Sequence, residues 1–452
     1  MLRLDDILKA TGGKALSRGP EDFRAVSTDS RKINGGELFI ALTGDNFDGN
    51  EFAASALEKA SGAVISRAGS IPDGLFAKKS IVLVEDTLKA LQDIARSVRA
   101  GRPRLPLVGI TGSNGKTTTK ELAAAVLGGK YRVLKSSGNL NNHIGLPLNL
   151  CGLGPEHEIA VLEMGASAPG DIDELCGIAR PTMGVLTNVG FSHLEGFGSM
   201  EVLLRTKLEL AQAVQSIIYN ADDERLAPAI QSGFRNKALI SFGVKARADV
   251  MASGVRLTER GSEFTLRIAE DGHADIKLGI PGAFNIYNSL AAAACGLFFD
   301  VGLEETAAAL GAFGGVPMRY EIKEMAGATI LSDIYNANPA SMEEALKELV
   351  RLRKGRAVAV LGDMLELGGY SEDAHRRLGG WMASLPVDLF IAVGPMMGRA
   401  YAEFTKEGKE AIACKDSAQA AKALAGSLKK GDAVLIKGSR GMRMEKVLEE
   451  MK

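Results

Sequence analysis

This chain of 452 residues is short of several things that would point to a special environment. It has four cysteines, Cys151, Cys176, Cys295 and Cys414, scattered and without a C-x-x-C pair. That excludes a disulfide framework, argues against a zinc cluster, and fits buried thiols in a reducing compartment. No apolar run nears the roughly 18 residues that a bilayer-spanning helix requires. Met1-Leu2-Arg3-Leu4-Asp5-Asp6 lacks the pattern of a signal peptide, so a cytoplasmic protein without membrane insertion is expected. Charge of one sign is missing as well: 54 basic residues face 55 acidic ones, which gives no bulk electrostatic reason to expect nucleic acid or anionic lipid as a partner. Internal repeats and low-complexity tracts are absent. What remains is 46% apolar and 24% charged, the balance of a globular protein. Its length suits about three domains of roughly 150 residues each.

The stretch Leu105 to Gly128, LPLVGITGSNGKTTTKELAAAVLG, reads as a buried strand, a turn of small residues and a helix. In that order the turn's N–H groups and the helix N-terminus offer an anion a partial positive charge, and Lys116 adds a full one. Thr117 stands where a hydroxyl can hold the Mg²⁺ that accompanies a nucleoside triphosphate. The candidate loop is Thr111, Gly112, Ser113, Asn114, Gly115, Lys116, Thr117 and Thr118, with Ile110 in place of the general motif's first glycine.

On both sides of this stretch, strand-like and helix-like segments alternate, which predicts sheets with helices on both faces. Central strands are expected at 132–134, 159–163, 184–187, 216–219 and 239–242, with a hairpin around 259–262. Polar residues fall at strand ends, where such sheets bind ligands. Glu163 closes an apolar run and suits either a Mg²⁺ ligand or a salt-bridge partner. Asn188 closes another, and His193 follows. Lys207, on a helix expected over 200–214, is by pattern a solvated face residue. Gly138 to Pro147 carries Asn139, Asn141 and Asn142 and reads as a loop entering a helix. Asn285 and Asn288 share one helix face. Before the phosphate loop, Asp29-Ser30-Arg31 and Leu38 to Gly44 read as a polar turn and a buried strand. After residue 316 the pattern restarts, with strands at 329–332, 357–361, 389–393 and 433–437. Its sharpest stretches are Asp333-Ile334-Tyr335-Asn336-Ala337-Asn338-Pro339 and Leu361-Gly362-Asp363-Met364-Leu365-Glu366-Leu367-Gly368.

Taken together these motifs resemble the Mur ligases, ATP-dependent amide-forming enzymes. The T-G-S-N-G-K-T loop, Asp29-Ser30-Arg31 with G-x-L-F-x-A-L-x-G, Asn188 to Ser199 followed by Lys207, and the two C-terminal stretches occur in the family's order over nearly the whole chain. Asn50 stands where the family commonly has His, and Met318 where it often has Gly. The C-terminal stretches are similar to the branch that joins D-alanyl-D-alanine to a UDP-N-acetylmuramoyl-tripeptide. The D-N-P-R of the diaminopimelate-adding branch does not occur.

The resemblance implies an α/β protein of three domains: a small α/β UDP-binding domain over 1–101, a central ATP-binding domain with a mostly parallel P-loop-type sheet over 105–315, and a Rossmann-like domain over 316–452. It implies ATP and two Mg²⁺ ions as cofactors, with Thr117, Glu163, His193 and a carbamylated Lys207 as metal ligands. Lys116, His193, Lys207 and Arg319 would be catalytic, with Arg319 reaching the γ-phosphate. Asn285, Asn288 and Asp333 would contact the nucleoside, and Ser30, Arg31, Thr43, Asn139, Asn142, Tyr335, Asn336 and Asn338 the other substrates. The chain is expected to act as a monomer. The loop alone leaves two other readings open, a folylpolyglutamate synthase and a nucleotide-gated binding protein.

Overall fold

The computed structural model of the protein describes residues 2–44, 47–76, 78–191, 194–268 and 272–450. Three larger sheets organise it. The first has five strands, in the order Lys14–Ser17, Ser80–Leu83, Gly62–Ile65, Glu37–Ile40 and Ala25–Ser27. All neighbours are parallel except the antiparallel edge strand Lys14–Ser17. Glu37–Ile40 and Gly62–Ile65 are buried at every position, as expected of strands covered on both faces.

The central sheet has nine strands. Val133–Lys135, Ile159–Glu163, Leu107–Thr111, Met183–Leu186, Ser216–Asn220, Ala238–Gly243 and Val250–Thr258 run parallel, and Gly261–Ile268 and Gly272–Leu278 add an antiparallel extension. Leu107–Thr111 comes first in the chain yet lies between Ile159–Glu163 and Met183–Leu186. Strand order therefore reverses on either side of it, and a crevice opens beyond its carboxyl end. Helices Lys116–Gly128 and Phe284–Phe298 pack together on one face around Val108, Ile110, Leu122 and Leu290. The other face is covered by Thr87–Ala100, Asp171–Ala179 and Met200–Ala213, and its core runs on into Leu38 and Ile40 of the first sheet. The N-terminal and central units thus share one hydrophobic core.

The third sheet orders Glu321–Met325, Ala328–Asp333, Ala433–Lys437, Ala357–Gly362, Leu389–Val393 and Glu410–Cys414, parallel apart from the first. The α/β class and the mostly parallel central sheet are as the sequence predicts. Three strands carry only a weak signal: Gly272–Leu278, Glu321–Met325 and Glu410–Cys414. All three are half-exposed sheet edges whose signals are short: Ala274, Ile276 and Leu278 alternate with Asp275 and Lys277, Glu321–Met325 mixes charge with Ile322, and Glu410–Cys414 holds only a four-residue apolar run. All four cysteines are buried and free. Among the described residues, no helix is long and apolar enough to cross a membrane.

Candidate active site

The loop after Leu107–Thr111 is shaped by two glycines. Gly112 has φ 148° and Gly115 φ 83°, both unfavourable for side-chain-bearing residues. A Cβ on Gly112 would meet Thr187 Oγ1 at 2.0 Å, and one on Gly115 would meet Asn288 Oδ1 at 2.3 Å. The loop is clamped from the next strand end. Asn114 N–H donates to Asn188 Oδ1 (2.9 Å), Asn188 Nδ2 donates to Asn114 O (3.1 Å), and Gly190 N–H donates to Ser113 Oγ (2.9 Å). Lys116 Nζ curls back to Gly112 O at 2.8 Å and Ser113 O at 3.3 Å. Burial holds its ammonium below the usual lysine value; Glu163 opposes that shift and Arg319 adds to it.

Glu163 ends the neighbouring strand and is buried. Thr117 Oγ1 donates to its Oε2 at 2.9 Å, and Asn141 Nδ2 donates to its Oε1 at 2.7 Å. From the far side, Arg319 Nη2 donates to the same Thr117 Oγ1 at 3.2 Å, with its guanidinium 4.1 Å from the centre of the Tyr335 ring. One hydroxyl thus joins the phosphate loop, an acidic strand tip and a cation from the third sheet's unit. A hydroxyl beside a carboxylate is an oxygen donor set of the kind a hard divalent cation takes.

Further contacts close this boundary. Asn338 caps helix Pro339–Leu352 and donates through Nδ2 to Asn114 Oδ1 at 2.8 Å. Glu195 N–H donates to Glu366 O at 3.3 Å. Between the two units lies a cavity of about 720 Å³. Ser113 to Thr118, Asn139, Asn142, Glu163, Asn285, Asn288, Arg319, Asp333, Tyr335, Asn336 and Asn338 all line it. Asn288 Nδ2 bonds Asn285 Oδ1 at 2.8 Å, so the two asparagines form one polar patch under the loop.

Other expected residues lie elsewhere. Thr111 is fully buried and donates its hydroxyl to Met164 O at 2.8 Å, which makes its side chain part of the scaffold. Asp333 faces the cavity, but its carboxylate is held by buried Lys437, its direct partner in the strand register. His193 falls outside the described residues. Lys207 is not the solvated residue its helical position suggests: it is 2% exposed. Burial pulls its ammonium down to about 7; the Lys116 charge adds to the shift, and Asp171 and Glu209 oppose it. Among the described residues no hydrogen-bond acceptor reaches Lys207 Nζ; the ring of Phe197 lies 5.8 Å away.

Ser30, Arg31 and Thr43 follow the carboxyl ends of parallel strands in the first sheet, away from this cavity. Arg31 is exposed and pairs with Asp29 at 2.8 Å, and Thr43 Oγ1 bonds Asp48 Oδ1 at 3.3 Å. Asn50 is a buried staple there: it donates to Asp48 and Ser66 and accepts from the N–H groups of Ser66 and Arg67. Sequence reasoning missed Lys437, Ser439 and Arg440, which line the cavity. The signal was available, since Lys437 closes the apolar strand Ala433–Ile436 as Glu163 closes its own.

A glycine-turned anion loop completed by an arginine from a second α/β unit defines the class: a nucleotide-loop protein whose site spans a domain boundary. Family models agree along the chain: Mur ligase family, catalytic domain over residues 22–99, Mur ligase middle domain over 110–296, and Mur ligase, glutamate ligase domain over 318–440. The chain is 37% identical over 444 residues to the UDP-N-acetylmuramoyl-tripeptide–D-alanyl-D-alanine ligase of Bacillus subtilis, covering 95% of this chain and 93% of that protein. It is 34% identical to the Escherichia coli enzyme of the same name, covering 94% and 93%. A crystal structure of MurF from Acinetobacter baumannii superposes with a TM-score of 0.88 at 30% identity, covering 100% of this chain and 98% of that one. MurF ligase from Thermotoga maritima in complex with ADP gives 0.80 at 32% identity, covering 95% and 97%. The chain belongs to the Mur ligase family.

Proposed function

We propose that this protein is an ATP-dependent ligase that joins D-alanyl-D-alanine to the terminal carboxylate of a UDP-N-acetylmuramoyl-tripeptide, a step of peptidoglycan precursor synthesis in the cytoplasm. The observation that carries the reading is the Thr117 hydroxyl held between Glu163 and Arg319. A carboxylate oxygen of the tripeptide attacks the γ-phosphorus of ATP, and ADP leaves. The dipeptide amine, its ammonium proton given up to solvent, attacks the acyl carbon; the amide C–N bond forms, phosphate departs with the C–O electron pair, and the amide nitrogen releases a second proton to solvent. Lys116 and Arg319 stabilise the charge on the transferring phosphoryl group. The neighbouring unit, whose Asn338 and Glu366 already touch the central one, excludes water from the acyl phosphate.

Thr117 and Glu163 offer the oxygen donors that would hold Mg²⁺, which when bound neutralises phosphate charge. His193 and Lys207 are assigned to a second metal. An ordinary lysine is only about one part in a thousand neutral near pH 7, whereas Lys207 titrates at about 7. Its amine can therefore attack CO₂ and lose a proton, replacing a cation near Lys116 with a carbamate anion. Asn285 and Asn288 are assigned to the nucleoside, as is Asp333. Asn139, Asn142, Tyr335, Asn336 and Asn338 are assigned to the peptide substrates, and Ser30, Arg31 and Thr43 to the UDP moiety. The domains are taken as 1–101, 105–315 and 316–452. Action as a monomer is part of the same reading.

ADP release by purified protein tests the reading. Turnover should require both the muramoyl tripeptide and D-alanyl-D-alanine. Turnover with glutamate as acceptor would instead indicate a folylpolyglutamate synthase, and ADP release without either substrate would refute the ligase reading.

A further inference from the structure

Lys120 lies one turn beyond Lys116 on the phosphate-loop helix and is fully buried, a place where lysine is found only with its charge matched. Its Nζ donates to Ser136 O at 2.7 Å and Gly138 O at 2.9 Å and pairs with Glu121 at 2.7 Å. It lines neither the large cavity nor the smaller one beside it. The two carbonyls it holds lie in a segment, residues 136–142, that forms neither helix nor strand. That segment nevertheless carries groups of the site. Asn141 bonds Glu163, and Asn139 lines the cavity together with Tyr335.

The bonds close a ring. Lys120 holds the Ser136 carbonyl, Ser136 Oγ accepts from Glu163 N–H at 3.0 Å, Glu163 accepts from Thr117 Oγ1 at 2.9 Å, and Thr117 stands three residues before Lys120 on the same helix. Asn149 grips the segment from its other side, at Ser137 N and Leu140 O, without touching this helix. Lys120 is thus a direct side-chain tie from the phosphate-loop helix to the segment, beside the backbone bond from Ser136 N–H to Val161 O at 3.1 Å.

We infer that Lys120 is a positioning residue for phosphoryl transfer: by clamping residues 136–138 to the helix it fixes Glu163 against Thr117, the oxygen pair assigned to Mg²⁺. The inference rests on that assignment. Full-length Lys120→Met, Lys120→Arg and Ser136→Ala variants test it, the last keeping the carbonyl that Lys120 grips while removing the hydroxyl bonded to Glu163. Binding of Mn²⁺ in the presence of ADP, followed by electron paramagnetic resonance, gives a readout independent of turnover. Lys120→Met should weaken Mn²⁺ about tenfold or more and lower kcat about 100-fold, with metal-free ADP affinity unchanged. Lys120→Arg should restore part of both, and Ser136→Ala, which leaves the Glu163 N–H without its acceptor, should weaken Mn²⁺ at a modest cost in thermal stability while remaining folded. Unchanged Mn²⁺ binding in folded Lys120→Met would overturn the inference, as would loss of metal-free ADP binding in step with Mn²⁺. If Lys120→Met does not fold, unchanged Mn²⁺ binding by Ser136→Ala overturns it alone. Wild-type protein whose ADP complex takes up no Mn²⁺ would instead sink the assignment of the Thr117–Glu163 pair itself.

Discussion

Glu366 and Leu365 border the cleft on a loop held by the buried imidazole of His375 and by Ser439, whose Oγ accepts Leu365 N–H at 2.9 Å. His375 accepts Met364 N–H at Nε2 (3.0 Å), and its Nδ1 faces Ser371 O at 2.6 Å. This leaves it neutral with the proton on Nδ1. Burial lowers its pKa from 6.5. Above pH 6.5 neither the folded nor the unfolded form carries the proton. As pH falls below 6.5 the unfolded chain takes it up first, so stability present above that pH is lost on acidification. The melting temperature of the wild type should therefore fall more steeply between pH 7.5 and 5 than that of His375→Gln; parallel curves would contradict this. Met318 has φ 66°, a left-handed conformation that costs a side-chain-bearing residue about 1 kcal/mol. Arg319 reaches Thr117 nonetheless.

Among the elements, the turn between strand Leu107–Thr111 and helix Lys116–Gly128 was the most legible in the sequence. Its glycines and lysine announce an anion site through local backbone chemistry, which needs no partner to be read. Gly115→Ala would place a Cβ 2.3 Å from Asn288 Oδ1 at φ 83°. It should weaken ADP binding at least about tenfold, since the left-handed strain alone is worth about 1–2 kcal/mol. Calorimetric titration checks this, and unaltered affinity would refute the fit of the turn. Legibility failed where function depends on what packs over a residue. Helix Met200–Ala213 gives Lys207 an ordinary surface position by pattern, and only the tertiary fold buries it. Arg440 went unread because a basic residue in the loop after a strand usually meets solvent. Lys207→Ala should be inactive and partly rescued by formate or acetate standing in for the carbamate. Full activity without rescue would remove Lys207 from the site.

In the whole molecule, two sheets turn their carboxyl ends toward one cavity, and the side-chain contacts between their units include Arg319 to Thr117, Asn338 to Asn114, the rings of Phe284 and Tyr320, and Lys354 to Glu259. The α/β class and the mostly parallel central sheet could be predicted because buried parallel strands are near-continuous apolar runs. The approach of the third sheet's unit could not, since it depends on surfaces that no local pattern describes. The central claim is that this approach lets ATP convert a carboxylate into an acyl phosphate. Supplying a UDP-N-acetylmuramoyl-tripeptide labelled with ¹⁸O in its terminal carboxylate, together with ATP and D-alanyl-D-alanine, tests that claim most directly. One labelled oxygen should appear in each phosphate released, as read by mass spectrometry; amide formed with unlabelled phosphate would contradict it.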